Sequence, residues 1–136
     1  MRRYRLPAFN KVFIVGNLTK DPDLNLTTKN IPVANFRIAS SRKFKAANGD
    51  RKEEVCYVNV TAWLKLAEAC KDKLRKGDSV FVEGRLQSKN WTDSKGEAKN
   101  SIEILAERVQ FLSQEIEEEI IDDNNDMPAE EIEDRN

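Results

Sequence analysis

Four aromatic side chains of this sequence stand among cations or on polar runs. Phe44 lies between Arg42, Lys43 and Lys45, with Arg51 and Lys52 close behind; Tyr57 and Trp63 flank Asn59; Trp91 follows Arg85 and Lys89. An unpaired nucleobase offers a flat π face that a protein ring can cover, and the phosphates joining successive bases need cations at intervals, so a surface for a single-stranded polyanion interleaves the two. Stacking contributes roughly 1–3 kcal/mol per base, and each phosphate contact adds a salt-sensitive increment through counterion release. The pattern predicts that Phe44, Tyr57, Trp63 and Trp91 stack on bases. Lys11, Arg42, Lys43, Arg51, Lys52, Arg85 and Lys89 then follow the backbone. Phe13 and Phe81, in apolar runs, are read instead as packing against a loop or a neighbouring subunit, and Lys65, Lys71 and Lys73 as solvating a helix.

Charge is divided along the chain. Residues 1–113 carry 22 Lys and Arg against 13 Asp and Glu, a net of +9, whereas residues 114–136 carry one Arg against 11 acids, a net of −10, so the overall −1 conceals a basic body and an acidic tail. A basic body attracts polyanions, and an anionic segment of nearly equal charge can compete for the same surface. The expected organisation is a basic N-terminal extension over 1–8, a folded domain over 9–113 and a disordered acidic tail over 114–136.

Other chemistries are poorly served. The 136 residues include no histidine, which removes the usual general base and the Ser and Cys triads, and no glycine-rich phosphate loop is present. No catalytic site, metal or cofactor is therefore expected, and a nuclease on a similar barrel is disfavoured. Cys56 and Cys70 lack metal-ligand spacing and are read as core thiols. No apolar run approaches the roughly 20 residues that span a bilayer, and no apolar segment of signal-peptide type follows the basic start. The chain is expected to be cytoplasmic, which makes the sequons at Asn17, Asn25, Asn59 and Asn90 coincidental.

The elements that must position the rings read as mostly β with one helix. Val12 to Gly16 alternates as a strand that can be buried on both sides, and Asn17 to Asn30 reads as polar connection. Val33 to Ser40 forms a second strand, leading through Arg42–Lys45 to Asn48-Gly49, a hairpin dipeptide that tolerates positive φ. From Glu54 to Trp63, Cys56, Val58, Val60 and Ala62 share the core face, and Tyr57, Asn59, Thr61 and Trp63 the other. Leu66, Ala67, Cys70 and Leu74 recur at helical spacing, predicting a helix over 64–75 ended by Gly77. Strands over 79–91 and 102–112 complete the set, separated by a charged turn around Gly96. This order suits a five-stranded Greek-key barrel of the oligonucleotide-binding (OB) kind, and other small α+β folds as well.

The residues also carry a resemblance. Asn10-Lys11-Val12-Phe13-Ile14-Val15-Gly16-Asn17-Leu18, Asp21-Pro22, Val33-Ala34-Asn35-Phe36, Lys65-Leu66-Ala67-Glu68, Leu74-Arg75-Lys76-Gly77-Asp78, Val82-Glu83-Gly84-Arg85-Leu86 and Trp91-Thr92-Asp93 occur in order at spacings that closely resemble the bacterial single-stranded DNA-binding protein family, over about Phe9 to Ser113. The resemblance implies an OB fold, a homotetramer around which single-stranded DNA wraps, roles in replication, recombination and repair, and no catalysis. Family stacking positions fall on Phe44, Tyr57, Trp63 and Trp91. Val58 falls where some members carry a histidine near subunit contacts. The family's acidic tip, which recruits replication and repair proteins, is matched by Asp122, Asp123, Asp126, Met127 and Pro128. Ala129 stands in place of the terminal aromatic, and eight residues follow Pro128. The alternative is an accessory docking module that uses the same barrel chiefly for protein partners.

Overall fold

The computed structural model describes residues 2–112; the acidic tail and the partner-binding residues read within it, Asp122 to Pro128, lie outside the described residues. In chain order the elements are β1 (Val12–Leu18), β2 (Asp23–Leu26), β3 (Pro32–Lys45), β4 (Arg51–Trp63), α1 (Leu64–Lys73), β5 (Ser79–Thr92) and β6 (Ala98–Phe111). Hydrogen bonding orders them β1-β5-β6-β4-β3-β2, and a further β1–β3 pairing closes β1, β5, β6, β4 and β3 into a five-stranded barrel with β2 on the outer edge of β3. The strands pair antiparallel except β4 with β6, which meet in parallel at Val60↔Ile104 and Thr61↔Leu105. This is the mostly β, one-helix barrel of OB type.

Alternation supplies the core. Phe36 and Ile38 of β3, Val60 and Ala62 of β4, Val80 and Val82 of β5, and Ile104, Ala106 and Val109 of β6 point inward with Leu18 of β1, and α1 contributes Cys70, followed by Leu74. Fully burying a side chain of this size contributes about 1.5–3 kcal/mol. At Gly84 the β5–β6 ladder shifts register, and a Cβ there would run into the Leu105 carbonyl. Only a residue without a side chain lets the two strands approach so closely.

Three loops share one design. Thr27–Ile31, Ala46–Asp50 and Asp93–Glu97 each close with the fourth residue's N–H donating to the first residue's carbonyl, at 2.8, 2.9 and 3.0 Å. Asn30, Gly49 and Gly96 take that fourth position with φ of 64°, 90° and 81°. In the Asn48-Gly49 turn, therefore, only the glycine is left-handed. Asn48 acts through its side chain, its Oδ1 accepting from the Asp50 N–H at 3.0 Å.

Several expectations are corrected. The connection 17–30 contains β2, which pairs with β3 from Asp23↔Asn35 to Leu26↔Pro32. Helix α1 stops at Lys73 because Leu74 is already extended, at φ −105° and ψ 144°. Gly77 instead makes the tight turn into β5, its N–H donating to the Leu18 carbonyl at 2.8 Å. Cys56 is exposed whereas Cys70 is buried. The alternation of β4 holds, but its inner face runs past the end of the core before reaching Cys56. On β1, Phe13 and Val15 are more than half exposed, so that strand is covered on one side alone within the protomer.

Candidate nucleic-acid interface

The β3–β4 ladder runs without a register shift from Val33↔Trp63 to Lys45↔Arg51. Its parity sorts the side chains into two faces. Tyr57, Asn59, Thr61 and Trp63 share the outer face with Asn35, Arg37 and Ala39. Tyr57 and Trp63 remain 54% and 39% exposed, and the Arg37 guanidinium lies 5.0 Å from the centroid of the Tyr57 ring. From β5, Trp91, 44% exposed, joins Lys89 at a groove of about 490 Å³ whose other walls are Arg37, Asn59, Asn35, Lys20 and Ser101. Trp91 also walls a hollow of about 350 Å³ with Asn90 and Lys99.

Phe44 belongs to the opposite face of the ribbon, with Arg42, Lys52 and Glu54. Arg42 lies over its ring at 4.7 Å from the centroid and pairs with Glu54 across the strands at 3.1 Å. A second hollow, of about 520 Å³, surrounds Phe44 with Lys43, Lys45, Arg51 and Lys52. The fold thus gathers Tyr57, Trp63 and Trp91 on the outer side of the barrel and sets Phe44 apart, near the hairpin tip.

The cations are not equally available. Lys11 is held by Glu107 at 3.1 Å and Glu83 at 3.4 Å, and its pKa rises because the hydrogen bond to Glu107, then that to Glu83, favours the charged form. Lys43, Arg51, Lys52, Arg85 and Lys89 make no ion pair among the described residues. Sequence reasoning missed Arg37, Lys20 and Lys99. Arg37 was detectable, since it alternates with Asn35 on a strand that pairs with the Tyr57 run. Lys20 and Lys99 gave no signal, because loop and sheet register bring Lys20 to the groove and Lys99 to the hollow beside Trp91.

Beneath the groove lies a polar network across four strands. Glu103 of β6, 6% exposed, accepts through Oε2 from the Thr61 hydroxyl of β4 and from Gln87 Nε2 of β5, both at 2.9 Å. Thr61 Oγ1 is also 2.9 Å from the Asn35 amide oxygen of β3. One hydroxyl proton serves one acceptor, so with Thr61 donating to Glu103 the Asn35 amide must turn its Nδ2 toward Thr61. Elsewhere on the barrel, Phe13 and Phe81 stack with centroids 6.2 Å apart beside Val15. Among the described residues no cluster of His, Cys, Asp or Glu is arranged to hold a metal, and no helix is long and apolar enough to cross a membrane.

Comparison with known proteins gives a consistent relationship. Residues 9–112 match the model of the Single-strand binding protein family. A Chlorobaculum tepidum protein named single-stranded DNA-binding protein 2 is 49% identical over 109 residues, covering 79% of this chain and 74% of that protein. The single-stranded DNA-binding protein of Deinococcus radiodurans is 40% identical over 106 residues, which span 78% of this chain but 35% of that longer protein. The fold is shared with a solved structure, the Plasmodium falciparum SSB complex with ssDNA, at a TM-score of 0.73 and 22% identity, covering 81% of this chain and all of that one.

Proposed function

The chain belongs to the single-strand binding protein family, and on that premise we propose that it binds and protects single-stranded DNA, without sequence specificity, during replication, recombination and repair. The observation that carries this reading is that Tyr57, Trp63 and Trp91 keep exposed rings on the outer side of the barrel, Tyr57 beneath Arg37 and Trp91 lining a groove with Arg37 and Lys89. Bases stack on these rings and on Phe44. Phosphates are followed by Arg37, Lys43, Arg51, Lys52, Arg85 and Lys89, with Arg42 joining once it leaves Glu54. Lys11 has the weakest claim, because two carboxylates already hold it.

The mechanism is equilibrium coating and involves no bond-breaking step. A base that leaves its neighbours in the strand loses stacking and regains it on a protein ring, while counterions released from the phosphates supply entropy. The patch of exposed Phe13 and Val15 with half-buried Phe81 supports assembly with further copies, the homotetramer implied by the resemblance, since an apolar β face of this kind is stabilised by burial against its like. The setting proposed is the cytoplasm, on the nucleoid's exposed single strands. The accessory docking module is not favoured, because the relatives' own names describe DNA binding.

The test is a titration of the full chain with poly-dT, followed by tryptophan emission and light scattering. Quenching that saturates, weakens with added salt and is much stronger than with duplex DNA is expected. Equal affinity for poly-dT and duplex would overturn the reading.

A further inference from the structure

Glu103 stands out because it places a buried carboxylate at the floor of a groove lined by Lys20, Arg37 and Lys89, where the other acid, Asp23, is already paired with Lys20 at 3.6 Å. Its Oε2 takes the hydrogen bonds from Thr61 and Gln87, and its Oε1 has no donor among the described residues. No Lys or Arg pairs with it among those residues either, although Lys20, Arg37 and Lys89 line the same groove. A buried carboxylate oxygen with open acceptor capacity is costly to keep unless something donates to it. Strand cohesion explains only half of the carboxylate.

The surroundings restrict what the donor can be. Phosphates meet Arg37 and Lys89 at the rim and are repelled by the carboxylate below. Trp91 and Glu103 line the same groove, so a base stacked on that ring comes beside the carboxylate, and a nucleobase edge carries N–H donors. We propose that Glu103 accepts the exocyclic amino group of one base per protomer, so that this subsite holds cytosine, adenine or guanine in preference to thymine. Cytosine N4, adenine N6 and guanine N2 each offer an amino donor, and carboxylates accept from cytosine N4 in duplex recognition too. Thymine's ring N–H lies between two carbonyl oxygens that a carboxylate repels. Thr61 and Gln87 act as positioning residues, fixing Oε2 so that Oε1 is left for the ligand.

This inference rests on the single-stranded DNA reading above and adds one biased subsite to a surface that otherwise stacks any base. Its test uses the full chain and three homopolymeric oligonucleotides of equal length at fixed salt: dC, dT, and a strand of 2-pyrimidinone deoxyribonucleotides, which are cytosines lacking the 4-amino group. Removing the amine is expected to weaken binding by about fivefold or more at each engaged subsite. In Glu103→Gln, Thr61 and Gln87 hold the amide oxygen and turn its NH2 toward the base, so the ratio between the dC and 2-pyrimidinone affinities should fall toward one. A general gain from removing a negative charge affects both strands and cancels in that ratio. Equal affinity of the unaltered chain for dC and 2-pyrimidinone strands overturns the proposal, as does an unchanged ratio in the variant. Should Glu103→Gln fail to fold, the comparison with the unaltered chain still decides. Failure to bind any of the three strands, dT included, would sink the single-strand reading itself.

Discussion

Phe44 and Tyr57 leave the same β-ribbon in opposite directions. Phe44 is registered with Lys52 and Tyr57 with Ala39 in an unbroken ladder, which puts the two rings on opposite sides of the sheet. Each lies under an arginine, Arg42 at 4.7 Å and Arg37 at 5.0 Å. A bound strand that uses both rings must pass around the ribbon's edge or its Ala46–Asp50 tip.

Rings on opposite faces cannot share one base. Phe44→Ala and Tyr57→Ala should each weaken poly-dT binding by roughly 1–3 kcal/mol, and the double variant by close to their sum. A double-mutant cycle in equilibrium titrations measures this. Coupling of about 1 kcal/mol or more would place both rings on one nucleotide.

Cation availability should appear in the salt dependence. Lys89→Ala is expected to reduce the slope of log affinity against log salt by about 0.7, the increment for one single-strand phosphate contact. Lys11→Ala should leave the slope almost unchanged, because Glu83 and Glu107 already occupy that ammonium. Equal effects would show that Lys11 leaves its carboxylates on binding.

Gly84→Ala tests the close approach of β5 to β6. The added Cβ meets the Leu105 backbone, so the strands must separate, at a cost of about 1–3 kcal/mol or more in urea unfolding. Unchanged stability would mean that the register shift at Gly84 accommodates a methyl group.

The two thiols should be chemically distinct. Cys56 is exposed and should react with a disulfide reagent in the native protein, whereas burial pushes the Cys70 thiol up to about 11 from 9.0 and shields it. One thiol should titrate before denaturation and two after. A raised folded pKa means that the unfolded chain loses this proton first. The stabilisation is therefore complete below pH 9 and disappears as pH rises through about 11. The free energy of unfolding measured across that range should fall less steeply in Cys70→Ala.

Cutting the chain after Ser113 removes a net charge of −10. If that segment competes with DNA for the basic body, the shortened chain should bind poly-dT more tightly, with the largest gain at low salt. Unchanged affinity at low salt would eliminate the competition.

Alternation made the core legible: Val60 with Ala62 and Val80 with Val82 could be assigned inward from pattern alone, because one face of each barrel strand must be apolar. The side to which Phe44 points could not, since facing across two strands depends on register, and register here follows from the length of the Ala46–Asp50 loop. Cys56 misled because alternation gives a direction and not how far the core extends. β2 was hidden by Asp23 and Asn25, residues of low strand propensity that pairing with β3 overrides. Nothing in the sequence sets Glu103 apart from the chain's many other acids. Only the meeting of β4, β5 and β6 reveals that it is buried.

The barrel's two closures are brief. β4 meets β6 at Val60↔Ile104 and Thr61↔Leu105, and β1 meets β3 at Asn17↔Ala39 and Leu18↔Ile38, whereas the β3–β4 and β5–β6 ladders run nearly the full length of their strands. Mechanically this is a cylinder of two stiff staves fastened by two narrow clasps, and strain imposed by a polymer wound on its outside concentrates at those clasps. The Thr61–Glu103 hydrogen bond spans one of them, so the groove's floor is also a rivet across one of the barrel's two clasps.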